Sequence, residues 1–217
     1  MKDLYVYTAD ADALAVIRSV LKRPNEIGIR PITYVVDRHI GRDPGMVKDG
    51  PETIRWKVKK TEFHKVILVW DHHGSGWESK PPRTCANAIR VRLRQVTWEG
   101  RSDAVAVVPE IEEWLWHDPS TLGRQLAISS AKLQEHVRRF AEKRNANAET
   151  CKARYPKELF EYALYEARRA GPLMEDFERI AANADLAKWR SSPTFSTFVK
   201  ILRAWFPQRT RLSKPKR

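Results

Sequence analysis

In the first half of the chain, short apolar runs alternate with longer amphipathic stretches. The runs at residues 3–8, 29–36, 65–70 and 104–108 are rich in β-branched and aromatic side chains, which favour strands. Four consecutive apolar residues, Val-Ile-Leu-Val at 66–69, are typical of a central parallel strand buried on both faces.

The stretches between these runs predict helices. Residues 13–21 and 82–96 carry apolar side chains at helical spacing. A short helix is predicted at residues 51–59, and Pro109 is expected to open another, because its missing N–H costs nothing there. Residues 38–50, rich in Gly, Asp and Arg, show no periodicity and predict a loop.

Four strand–helix alternations over residues 1–118 indicate an α/β fold with a doubly wound, mainly parallel four-stranded sheet. After Pro119 the periodicity is helical only, at residues 127–144, 157–168, 174–182 and 194–205. We therefore expect residues 119–208 to form a C-terminal helical cap on the same core. Residues 209–217 are basic and polar and predict a disordered tail.

The composition of the chain excludes some classes of protein and of metal site and favours one class of partner. No apolar run approaches the roughly 20 residues that cross a bilayer, and the N-terminus lacks a signal core, which predicts a cytoplasmic protein without membrane contact. Two cysteines without Cys-x-x-Cys spacing exclude a thiolate zinc knuckle. The net charge of +13 favours nucleic acid as a partner; a solvated basic surface, or docking on an acidic protein, are the alternatives.

Acidic residues and histidines follow the predicted strands, where ligands bind in parallel sheets. Asp71 ends the strongest strand and Glu112 follows the fourth, although a helix dipole also favours acidic residues at that position. Asp10 and Asp12 follow the first strand, and one of them is expected to cap the next helix. His73 is a candidate metal ligand that suits Mn²⁺ better than Mg²⁺, a candidate general base, or simply part of a polar loop.

Two basic clusters are candidate contacts for the nucleic-acid backbone. Arg83, Arg90 and Arg94 lie along the polar face of one predicted helix, and Arg138 and Arg139 lie on another. Basic residues on an exposed helix face are equally compatible with plain solvation.

Several short motifs together resemble the TOPRIM-like proteins of bacterial genomes, which often lie near phage-defence genes. They are Thr-Ala-Asp-Ala-Asp-Ala-Leu at 8–14, Val-Ile-Leu-Val-Trp-Asp-His-His-Gly at 66–74 and Ile-Glu-Glu-Trp-Leu-Trp-His-Asp at 111–118. Tyr-Pro-Lys-Glu-Leu at 155–159 and Ser-Ser-Pro-Thr-Phe-Ser-Thr-Phe at 191–198 match later landmarks of that family. The order and spacing of the motifs carry the resemblance over nearly the whole chain.

The resemblance implies a TOPRIM-like fold and a divalent metal, Mg²⁺ or Mn²⁺, for phosphodiester chemistry. TOPRIM domains hold the metal with a Glu after the first strand and an Asp-x-Asp after a later one. Here Tyr7, Thr8 and Ala9 stand where the Glu belongs, and His73 replaces the second Asp. The expected ligands are therefore Asp71, Glu112, Asp10 or Asp12, and His73, with Asp71, Glu112 and His73 as catalytic candidates.

Two functions are consistent with this pattern. The first is a metal-dependent phosphodiesterase or nuclease in an anti-phage defence system. The alternative is a catalytically degenerate TOPRIM-like subunit that binds nucleic acid or another defence protein.

The charge generates the first prediction. Binding of the protein to DNA or RNA should weaken steeply as salt is raised, because counterion release dominates such association. A filter-binding titration at several salt concentrations measures the slope. Failure to bind any nucleic acid at low salt would contradict the prediction and favour an acidic protein partner.

Overall fold

The computed structural model describes residues 1–168 and 170–208, so the predicted tail at 209–217 lies outside the described residues. Its strands are β1 (Lys2–Thr8), β2 (Tyr34–Arg38), β3 (Phe63–Asp71) and β4 (Ser102–Val107). Its helices are α1 (Ala11–Leu21), α2 (Pro24–Ile27), α3 (Arg42–Lys57), α4 (Pro82–Leu93), α5 (Glu112–Leu115), α6 (Pro119–Gln125), α7 (Ser130–Lys143), α8 (Ala148–Arg154), α9 (Pro156–Arg168), α10 (Met174–Asn183), α11 (Leu186–Trp189) and α12 (Pro193–Trp205). A π-helical turn, Arg94–Trp98, extends α4.

Within the described ranges, the four strands form one parallel sheet in the order β2-β1-β3-β4. The prediction of an α/β fold with a parallel four-stranded sheet and a helical C-terminal region is confirmed. Because all four strands run the same way, their C-terminal ends meet at one edge of the sheet. The residues that follow Thr8, Arg38, Asp71 and Val107 therefore begin at that edge.

The two faces of the sheet bury two apolar clusters, since successive side chains of a strand point to opposite faces. Leu4, Val6, Ile67 and Val69 belong to the larger cluster, which also contains side chains from α1 and most of the C-terminal helices. Tyr5, Tyr7, Val66, Leu68 and Trp70 belong to the smaller cluster, with side chains from α3 and α4. The C-terminal helices thus share an apolar core with the sheet.

The largest correction concerns residues 38–50, which were predicted to form a loop. Most of them lie in α3, which runs from Arg42 through Pro51 to Lys57. Pro51 has no N–H to donate to the carbonyl of Val47 four residues earlier, but Arg92 of α4 donates to that carbonyl and to Lys48 O instead. Tertiary contacts thus satisfy the carbonyl that the proline leaves without a partner.

Other boundaries also differ from the prediction. The second strand begins at Tyr34 and not near residue 29, because the chain before it is irregular and contains Pro31. The helix expected after Pro109 is a single turn, α5. Among the described residues, no helix combines the length and the apolar character needed to span a membrane.

Trp114 links the sheet half to the C-terminal helices. Its fully buried ring lies 5.0 Å, centroid to centroid, from Phe195 and 6.4 Å from Trp189. Its indole N–H donates to Thr194 Oγ1 over 2.9 Å.

We expect Trp114→Ala to lower the free energy of unfolding by about 3–5 kcal/mol, because it opens a cavity where the two halves meet. The control is Trp56→Ala, since Trp56 is 79% exposed and its loss should change stability by no more than about 0.5 kcal/mol. Chemical denaturation followed by circular dichroism measures both. Equal stabilities of the two variants would contradict the shared core.

Candidate metal centre

Three aspartates meet at the C-terminal edge of the sheet. Asp10 follows β1, Asp43 lies in the first turn of α3 after β2, and Asp71 ends β3. One carboxylate oxygen from each lies within 4.8 Å of the others. These three residues, called the aspartate cluster below, come from three neighbouring strand ends.

Backbone groups hold two of the three carboxylates in place. Asp10 caps α1, because its Oδ1 accepts a hydrogen bond of 2.8 Å from Ala13 N. Asp43 Oδ1 accepts a hydrogen bond of 2.7 Å from the backbone N–H of Asp71. The cluster is therefore pre-organised by the elements that carry it.

Asp71 supplies the observation that points to a ligand. Its side chain is 7% exposed, and its Oδ1 is buried without any hydrogen-bond partner among the described residues. Leaving a buried carboxylate oxygen unsatisfied is costly. Burial, with the nearby charges of Asp10 and Glu112, raises the pKa of Asp71 well above its usual range.

More carboxylates surround the cluster. Burial raises the pKa of Glu112 to about 8 and contributes most to pKa values of about 6 for Asp12 and Asp43. Glu110 and Glu112 each have one buried oxygen without a hydrogen-bond partner in the part of the chain that the structure describes. So many acidic groups cannot all ionise together unless a cation compensates them.

Lys157, at the start of α9, is a positively charged residue that interacts electrostatically with several of these carboxylates. Burial alone would lower its pKa, but Glu112, Glu110 and Asp71 outweigh that effect and raise it. Within residues 1–168 and 170–208, its ammonium forms no ion pair within 4.0 Å. It therefore offsets the acidic charge from a distance.

The aspartate cluster differs from the predicted ligand set. Asp10 and Asp71 belong to both, but Asp43 was missed because its segment was predicted to be a loop. The charge of Glu112 raises the pKa of Asp71, and the charge of Asp10 raises that of Asp12, but neither Glu112 nor Asp12 is a member of the cluster. The missed signal was an acidic residue in the first turn of the helix that follows the second strand.

The histidines after β3 lie apart from the aspartate cluster. His73 Nδ1 is 3.2 Å from Glu110 Oε1, and its side chain is 56% exposed. His72 Nε2 lies 3.0 Å from the carbonyl of Lys80, which anchors the following loop. The cluster itself offers only carboxylate oxygens, the donors that suit Mg²⁺, Mn²⁺ and Ca²⁺.

The chain matches no model of a known protein family, no curated protein sequence and no solved structure. The resemblance to TOPRIM-like proteins therefore stays a prediction.

Three of the predicted nucleic-acid contacts are engaged elsewhere in the protein. Arg90 pairs with Asp103 and donates to the carbonyl of Ala104 on the edge strand β4. Arg138 and Arg139 pair with Glu142 and Glu135 on their own helix.

Arg83 and Arg94 are exposed. Arg83 lies in the first turn of α4, which begins after β3 and therefore on the side of the aspartate cluster. Arg94 lies just beyond the other end of that helix. Arg42, in the first turn of α3, is also exposed and lowers the pKa of Asp12 by its charge. Arg42 is thus the exposed arginine whose charge acts on a carboxylate near the site.

The raised pKa of Glu112 generates a prediction on pH and stability. Its ordinary pKa is 4.5 and its folded pKa is about 8, so folding favours the protonated form. This stabilising contribution is complete below pH 4.5 and is lost as pH rises through 8. Glutamine cannot ionise, so Glu112→Gln avoids this loss of stability. The variant should be more stable than the wild type above pH 8, by on the order of 1–3 kcal/mol.

Thermal unfolding in EDTA at several pH values measures this difference. The stability advantage of Glu112→Gln should shrink as pH is lowered towards 4.5, where both side chains are neutral. Glu99→Gln, an exposed position before β4, is the control and should show no such trend. A stability advantage of Glu112→Gln that does not depend on pH would contradict the raised pKa of Glu112.

Proposed function

We propose that the chain is a divalent-metal-dependent phosphodiesterase that acts on nucleic acid. The buried, unpartnered Oδ1 of Asp71 within the aspartate cluster carries this proposal. A metal there would relieve the repulsion among the carboxylates and satisfy that oxygen. The net charge of +13 supports a polyanionic substrate.

The donor set fits Mg²⁺ or Mn²⁺ held by Asp10, Asp43 and Asp71. When bound, such a metal polarises a phosphodiester and activates water. The remaining groups would act on the substrate and on its protons. Lys157 and the exposed Arg42 would bind phosphate oxygens, because both cations lie among carboxylates without neutralising them at short range.

Glu112 is the group suited to hold a proton near the cluster. Its pKa of about 8 keeps its carboxyl protonated at neutral pH, whereas an exposed glutamate is ionised there. Without a metal, Glu112 therefore holds a proton next to the cluster, and binding of a cation to the neighbouring carboxylates would favour its release. His73, whose Nδ1 lies 3.2 Å from Glu110 Oε1, is a candidate general base at the same edge of the sheet.

The resemblance to TOPRIM-like proteins extends the proposal to a nuclease of bacterial anti-phage defence, working with other defence proteins. We propose that this activity takes place in the cytoplasm. The two free, buried cysteines of the chain, Cys85 and Cys151, would stay reduced there. The non-catalytic alternative shares the fold and the charge but needs no metal.

Cleavage of labelled DNA and RNA oligonucleotides with Mg²⁺ or Mn²⁺ tests the proposal. Asp43→Asn should reduce the cleavage rate by about 100-fold or more, since outer-shell changes at metal sites alone cost 10–100-fold. Glu99→Gln should retain the wild-type rate, because it lies before β4, at the end of the sheet away from the cluster.

Lys157→Gln separates the role of the lysine from that of the metal ligands. Removing a cation from among the carboxylates should tighten metal binding, measured by calorimetry, and at the same time slow cleavage. Nucleic-acid binding without cleavage under any metal would contradict the enzyme and favour the non-catalytic subunit.

A further inference from the structure

A second group of polar side chains lies between α5 and the turn that joins α11 to α12. Glu113 is in α5, His117 follows that helix, and Ser191 and Ser192 precede α12. Glu112 and Glu113 are adjacent in sequence but serve different surroundings. Glu112 interacts with the charges of the metal centre, whereas Glu113 contacts His117 and Ser192.

His117 connects an acid to a hydroxyl. Its Nε2 is 2.6 Å from Glu113 Oε1, and its Nδ1 is 2.8 Å from Ser191 Oγ. A carboxylate only accepts hydrogen bonds, so Nε2 carries the proton in a neutral imidazole. Nδ1 is then an acceptor directed at the hydroxyl of Ser191.

The acid is itself held in position. Ser192 Oγ donates to Glu113 Oε2 over 2.7 Å, and Ser192 is buried at the N-cap of α12. Glu113 and His117 are four residues apart on one helical turn, which keeps the pair aligned. A base oriented by a fixed acid and hydrogen-bonded to a hydroxyl is the arrangement that activates serine nucleophiles.

Ser191 is accessible to a substrate. Its side chain is exposed, and it directly precedes Ser192, the N-cap of α12. Its hydroxyl also donates to the carbonyl of Lys188 over 2.6 Å, so this hydrogen must turn from Lys188 to His117 before Ser191 can react.

We propose that Ser191, His117 and Glu113 form a second hydrolytic site, separate from the metal centre, for esters. Ser191 Oγ bonds to the acyl carbon while its proton passes to His117 Nδ1. The ester C–O bond breaks, and the alcohol leaves with that proton. Water, deprotonated by the same imidazole, then cleaves the acyl-serine and releases the carboxylic acid.

A fluorophosphonate probe tests the site on the full-length protein. The probe bonds to an activated serine oxygen and loses fluoride, and peptide mass spectrometry locates the adduct. We expect an adduct on Ser191 and none there in Ser191→Ala. Ser130→Ala should label like the wild type, because Ser130 is exposed but has no histidine partner in the described structure.

His117→Gln should slow labelling by on the order of 100-fold, the contribution of a general base. Labelling should persist in EDTA, so its failure and failure of the metal-dependent function are distinguishable. If Ser191 gains no adduct, or if His117→Gln labels as fast as the wild type while both remain folded by circular dichroism, the group only ties α5 to the α11–α12 turn.

Discussion

The repulsion among carboxylates at one edge of a parallel sheet is the constraint on which the proposed function depends. Parallel strands bring the residues that follow them to the same edge, and here each of the four strands is followed by an acidic residue. Asp10, Asp43 and Asp71 approach within 4.8 Å of one another. Burial raises the cost of ionising them, so protons, Lys157 or a bound cation must compensate their charge.

The C-terminal helices contribute to this edge as well as to the core. They bury the larger apolar face of the sheet, and α9 brings Lys157 to the carboxylates. The same helical half brings Ser191 and Ser192 to Glu113 and His117, which gives the chain a second group of hydrogen-bonded polar side chains. Helices that bury the core thus also contribute polar side chains to both candidate sites.

The sequence predicted the sheet well because its signal is local. The apolar runs that became β1, β3 and β4 are short and β-branched, and their parallel order follows from the alternation with helices. The same topology argument placed Asp10 and Asp71 at one edge.

The sequence failed where tertiary contacts override local preference. Residues 38–50 contain three glycines and a proline, yet α3 forms, because Arg92 satisfies the carbonyl that Pro51 leaves free and Gly45 lets the helix pass close to His39. Asp43 was missed for that reason. The pairing of His117 with Ser191 spans 74 residues and has no local pattern that could reveal it.

The most direct measurement for the central claim is a crystal structure of the protein soaked in Mn²⁺, with anomalous scattering used to locate the ion. We predict one anomalous peak within bonding distance, about 2.0–2.3 Å, of oxygens from Asp10, Asp43 and Asp71. A peak bound instead by His73 and Glu110, or no peak at the aspartate cluster, would contradict the account.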